Sequence, residues 1–229
     1  MDENILRALV DLRDRAIQKN RIGFSNRLDA ISRGVDVPSN GTVEILNRWL
    51  ARFDELESEL DVDIANATKG IEIIERMIEV KGIGRILAAK VVCVVDIHRA
   101  NTISALWKYA GYGMDANGKR DKPTSGVPLP YNARLHSTCF LIAGSFLKCN
   151  SPYRAIYDSS REYYTEGRDW TPLHIHRAAT GRMVKMWLSH LWLIWRQIEG
   201  LPIRAPYVHE HLGHTHIYLP EDFGWSAIE

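Results

Sequence analysis

The sequence predicts an all-α protein, a long coiled-coil-like helix followed by a helical domain with a helix-hairpin-helix motif. Three observations predict it. Apolar residues recur at three- and four-residue spacing through the longer segments. Strand-like alternation is nearly absent. Proline and glycine cluster mostly between the periodic runs, where they act as breakers.

Composition sets outer limits. The chain has 229 residues, 45% hydrophobic and 25% charged, which excludes wholesale disorder and leaves enough material for real cores. No run approaches the roughly 18 to 20 apolar residues of a membrane-spanning helix. The start, MDENILRALVDLRDR, is acidic and amphipathic and does not read as a secretory signal. Cys93, Cys139 and Cys149 form no CxxC pair, and an odd count of this kind reads as reduced thiols in a cytoplasmic protein. Net charge is only +1, so bulk charge makes no case for nucleic acid. Its distribution does more. Residues 41–80 hold ten acids against four bases, whereas residues 81–148 hold ten bases against three acids. Local patches, not totals, set the field that a phosphate meets.

In chain order, apolar spacing predicts short N-terminal helices over 5–19 and 24–33, within a segment 1–40 that ends in the linker VDVPSNG. A long helix follows over 41–76. Its stripe comprises Leu46, Phe53, Leu60, Ala67 and Ile74, with Val43, Leu50, Glu57, Ile64, Ile71 and Ile78 as the second set, and Glu57 is the one break. Such 3-4 spacing over residues 43–78 suits either an intermolecular coiled coil that makes a homo-oligomer or a helix packed within its own domain. Residues 77–150 read as a helix-hairpin-helix domain: two helices around a tight turn over 77–95, a short helix over 101–111, a Gly- and Pro-rich loop over 113–130, and a helix over 131–149. Residues 151–229 are a helical extension with a His-rich tail. One helix starts near Ser151-Pro152, and another runs from Thr171-Pro172 to about Glu199.

The run Val80-Lys81-Gly82-Ile83-Gly84, with Ala88 four residues on, carries the clearest chemistry. Two glycines let the backbone turn sharply and approach another backbone. The second helix then opens with N–H groups aimed outward, where helix polarity favours an anion. A DNA phosphate suits that nest, with Lys81 and Arg85 adding charge and Lys90 a lesser helper. Ile83 anchors the turn and Ala88 lets the helices pack. An ordinary αα-hairpin with a glycine turn is the bland alternative.

With those residues in view, residues 77–146 resemble the C-terminal domain of the bridge-RNA-guided serine-type insertion-sequence transposases. IEVKGIGRILAAKVV is similar to that family's helix-hairpin-helix, and Ala105-Leu106-Trp107-Lys108-Tyr109-Ala110-Gly111 to its L-x-x-Y-A-G segment. Thr124-Ser125-Gly126 falls where the family has its S-G pair, and Tyr131-Asn132-Ala133-Arg134-Leu135 resembles the helix start that follows. The resemblance implies Ser125 as the serine that attacks DNA phosphate, origin in a mobile element or phage, a role in DNA recombination, and, by analogy alone, a guide RNA. The family's metal-binding, nuclease-like N-terminal domain has no counterpart here. Asp2, Glu3, Asp11, Asp14 and Asp29 lack the strand context that would gather them around Mg²⁺. No cofactor is therefore expected unless the chain works as a recombinase subunit, with Mg²⁺ and a metal domain supplied in trans.

Near the C-terminus, Trp187, Leu191 and Trp195 share helical spacing and read as core. Arg177, Arg182, Lys185 and Arg196 lie between the aromatics. His209, His211, His214 and His216, with Glu210, form the densest histidine cluster, but no cysteine joins them and the spacing fits no standard zinc site. The expectation is thus a DNA-binding protein that contacts backbone with little sequence preference, oligomeric and leaning away from catalysis.

Overall fold

The structure is a computed structural model that describes residues 3–114, 123–203 and 218–227. It is all-α, with no strand among the described residues. It divides into two compact units, residues 1–69 and 70–229.

In the first unit, α1 (Glu3–Asp11), a π-helical segment (Leu12–Gln18) and α2 (Lys19–Ser32) follow one another without a break. The two short helices expected over 5–19 and 24–33 are therefore joined. The wide π turn lies where Arg13 and Gln18 reach across to the next helix. After the linker, α3 (Thr42–Ala67) returns antiparallel along them. The expected stripe is real but faces inward within the chain: Leu46, Leu60 and Ile64 are buried and Phe53 meets Phe24 at 5.5 Å. Glu57 interrupts the stripe because it is a salt-bridge position. It pairs with Arg13 at 2.8 Å and Arg21 at 2.6 Å, and accepts from Gln18 at 3.0 Å. Arg13, itself buried, also binds Asp61.

The stripe does not run on to Ile78 as one helix. It ends at Ala67, Gly70 takes φ +79°, and α4 (Glu72–Glu79) is a separate helix that belongs to the second unit. Gly70 at that angle supplies the break, since the left-handed conformation costs a non-glycine residue far more.

The second unit is arranged around α9 (Pro172–Ile198), started by the Thr171 side chain accepting from His174 N at 3.3 Å. Trp187 and Trp192 are fully buried, with Leu188 and Leu191 between them. Against α9 pack α4, α6 (Ile103–Tyr109), α7 (Ala133–Cys149) and α8 (Arg154–Gly167), while α5 (Arg85–Val92) packs on α4 and α7. The α6 and α7 starts are capped by Thr102 and Asn132, whose side chains accept from Ala105 N and Leu135 N. Arg196 sits in this core rather than among surface bases. It donates to the carbonyls of Pro202 at 2.9 Å, and Ile97 and Ala100 at 3.2 Å each. No described helix is long and apolar enough to cross a membrane.

A final segment, with a 3-10 turn at Pro220–Phe223, straps this unit. Trp225 Nε1 donates to Tyr153 Oη at 2.8 Å, and Tyr153 Oη lies 2.6 Å from His190 Nδ1. His190 Nε2 stands 3.1 Å from the Tyr218 carbonyl. Because indole can only donate and a carbonyl can only accept, the phenol hydrogen goes to Nδ1 and the imidazole carries its own hydrogen on Nε2. Burial pushes the His190 pKa down to about 4, against the opposing pull of the Tyr218 carbonyl and Asp222. The folded state thus holds His190 neutral, while the unfolded chain protonates it near 6.5. Stability should fall as pH drops from about 6.5 to about 4, by about 3 kcal/mol from this group. Urea unfolding of wild type and His190→Gln at pH 7 and pH 4.5 checks it: the wild type should lose more stability over that interval than the variant.

Candidate nucleic-acid interface

The hairpin is built from α4, a tight turn and α5. Ile83 N donates to Val80 O at 3.0 Å, closing the turn, and Gly82 stands at its third position with φ +103°. A Cβ on Gly82 would lie 2.8 Å from Cys149 Sγ and 3.1 Å from Phe146 Cδ1. Its carbonyl accepts from Ser145 Oγ at 2.7 Å. Two demands therefore fix glycine here: the backbone angle, and the closeness of α7. Ile83 and Ala88 are buried, as anchor and helix contact.

Gly84 answers to neither demand. It is the N-cap of α5 with φ −91° and ψ 163°, angles open to any residue, it is exposed, and a Cβ there would meet nothing within 4 Å. No side chain caps this helix, and its ladder begins only at Ala88 N to Gly84 O, 3.1 Å. Lys81, on the turn, is exposed. The α5 start thus offers a bare backbone approach with a lysine beside it.

The other two expected bases are differently placed. Arg85 is held by Glu75, Nη1 to Oε1 and Nη2 to Oε2 at 2.8 Å each, which clamps α4 to α5 and spends the guanidinium inside the hairpin. Those hydrogen bonds hold the Arg85 pKa above its ordinary value. Lys90 is buried at 6% exposure. The short helix turns Ala88, Ala89, Lys90 and Val91 all inward, so Lys90 is no surface helper. Sequence reasoning missed Glu75 as the partner of Arg85. The signal was an acid ten residues before the arginine, across a two-glycine turn that folds the chain back.

Ser125 lies in an exposed turn, Thr124 to Val127, closed by Val127 N to Thr124 O at 3.2 Å around Gly126 at φ +78°. No described base shares a hydrogen bond with it. The nearest histidine in sequence, His136, sets its Nδ1 3.0 Å from the Ala110 carbonyl, with Tyr112 and Tyr131 packed on its ring. The flanking motifs do meet. Asn132 Nδ2 donates to Tyr109 Oη at 2.7 Å, and Asn132 N to Tyr109 O at 2.8 Å, so the 105–111 and 131–135 segments form one packed junction.

Along α9, Trp187, Leu191 and Trp195 are core, and Arg177 and Arg182 are exposed. Lys185 Nζ lies 5.0 Å from the Trp107 ring. His209, Glu210, His211, His214 and His216 lie outside the described residues, as does Asp2. Asp11 pairs with Arg15 and Asp14 with Arg13. Among the described residues, no three His, Cys, Asp or Glu side chains gather where a metal could bind. Comparison with protein-family models, curated proteins and solved structures finds no match to the chain.

The contrast between the two glycines is testable. Gly82→Ala should destabilise by about 1 to 3 kcal/mol, through positive φ and the collision with Cys149. Gly84→Ser should change stability by less than about 0.5 kcal/mol, or gain a few tenths by capping α5. Urea unfolding of the two variants beside wild type measures both.

Proposed function

We propose that the chain is a DNA-binding protein of transposase-derived type that grips the phosphate backbone with the α4–α5 hairpin and acts as a non-catalytic oligomer. The observation that carries this reading is Gly84. The fold explains Gly82 but makes no use of a glycine at Gly84, whereas a phosphate seated on the first N–H groups of α5 does. Lys81 adds one charge at the mouth. With Arg85 engaged by Glu75 and Lys90 buried, the nest has fewer cations than the sequence suggests, so binding per chain is modest. Contact of this kind reads backbone and carries little base preference.

A Gly84→Asp variant separates binding from folding. Aspartate is a good N-cap at these angles and should stabilise α5, yet it places a carboxylate where the phosphate would sit. Salt-titrated fluorescence anisotropy with labelled duplex should show affinity that falls as salt rises. Gly84→Asp should weaken it by about tenfold or more with melting temperature undiminished, and Gly84→Ser, whose hydroxyl takes up an N–H of α5, should weaken it by less. Absence of salt-sensitive binding in the wild type, or equal affinity in Gly84→Asp, removes the hairpin as the DNA grip.

The alternative is a serine-dependent recombinase subunit that uses Ser125, with Mg²⁺ and a metal domain supplied in trans and a guide RNA by analogy. One observation favours it, the exposure of the Ser125 hydroxyl on a tight turn. Against it, no described base stands in hydrogen-bond contact to take the proton that attack on phosphorus would release. A covalent DNA adduct, abolished by Ser125→Ala, would establish this alternative.

A further inference from the structure

The α1–α3 hairpin leaves one side of itself apolar and uncovered. Its seam is Leu6, Val10 and Arg13 on the first helix, and Leu46, Phe53, Glu57, Leu60 and Ile64 on α3. The positions one residue before the seam form a second stripe. On α1 these include Ile5, 54% exposed, and Leu12, the first residue of the π segment, 48% exposed. On α3 they include Ile45 and Leu56, at 50% and 42% exposure, joined by Trp49, 43% exposed, which precedes the half-buried Leu50. In two antiparallel helices, positions just before the seam fall on the same side of both, so these five side chains share one face. The hairpin has little core of its own to offset that exposure: α2 contains no buried side chain at all. Two helices can bury only one stripe each, and a unit this small needs a further layer.

We infer that the layer is a second copy of this chain, with two hairpins packed through this face as a four-helix bundle and α3 antiparallel to its counterpart. Charge on the same side selects the direction. The stripe on α3 reads Ile45, Trp49, Arg52, Leu56, Glu59, Asp63. Arg52 already lies over the Trp49 ring at 5.5 Å, whereas Glu59 and Asp63 are exposed on the second half of the helix. A parallel pair sets Glu59 against Glu59 and Asp63 against Asp63. An antiparallel pair brings Arg52 toward the acidic half of the opposing helix, twice over by symmetry. The acids also make this side a poor surface for DNA. The bundle differs from a coiled coil built on the Leu46–Ile64 stripe, which the chain covers itself. It is independent of the DNA-binding reading, since it is read without DNA.

Sedimentation equilibrium of the full chain is the test, run up to about 50 µM so that even micromolar association registers. Wild type should sediment at twice 26.2 kDa, and Trp49→Glu as a monomer with unchanged far-UV helicity. Arg52→Glu and Glu59→Arg, both at exposed positions, should each weaken association by about tenfold or more, and the double charge swap should restore it. These two variants keep the test alive should Trp49→Glu misfold. Wild type that stays monomeric, or a dimer indifferent to Trp49→Glu, overturns the proposal. Failure of the double swap to recover association overturns the antiparallel arrangement.

Discussion

Burial of α9 is the constraint on which the second unit depends. The second half of this helix, from Met183 to Trp195, is apolar on most of its sides and cannot face water, and its neighbours supply the cover. Several polar atoms carried into that core are met by carbonyls, whereas Trp187 Nε1 has no hydrogen-bond partner among the described residues. Trp192 Nε1 donates to the Ala100 carbonyl at 2.6 Å, Trp107 Nε1 to that of Lys185 at 3.0 Å, and Arg196 binds three carbonyls. The bonds to the Ile97 and Ala100 carbonyls fix the irregular 96–102 stretch against the helix. The hairpin is mounted on the same frame. Its first helix rests on α9 and its second on α7, so the turn between them has little freedom.

Where local chemistry decides structure, the sequence was legible. The helix starts near 101, 131 and Thr171-Pro172 were legible, and the tryptophan spacing of the last helix reads as core because large apolar groups at that period have nowhere else to go. The hairpin turn was legible for the same reason. The failures share a cause, which is that sequence does not say what stands opposite. The stripe from Leu46 to Ile64 shows its period but not its partner, and the partner is the preceding helix of the same chain. Lys90 and Arg196 look like surface bases until the neighbours that bury them are known. Arg85 could be placed at the hairpin but not matched to Glu75, since that pairing exists only once the turn has folded. Of the candidate site, the backbone geometry was readable and the electrostatics were not.

Under the proposed reading, one nest bearing a single exposed lysine would attach weakly to DNA. Nucleic-acid affinity of the backbone type rises with the number of phosphates neutralised, and a nest with one exposed cation would gain most by acting in multiple copies. The acidic character of α3 then has a use apart from DNA. In the proposed dimer it would keep that unit from competing for phosphates while giving it a directional means of pairing.

The C-terminal strap works as a ruler. Its hydrogen bonds run one way, from the Trp225 indole through the Tyr153 phenol to His190 and on to the Tyr218 carbonyl, and each donor has a single acceptor. The two ends of this relay belong to residues seven apart in the strap, with Phe223 tilted against Tyr153 at 4.7 Å between them. Loss or gain of one residue between Leu219 and Gly224 would put both ends out of step together. This stretch should therefore tolerate many changes of side chain but none of length.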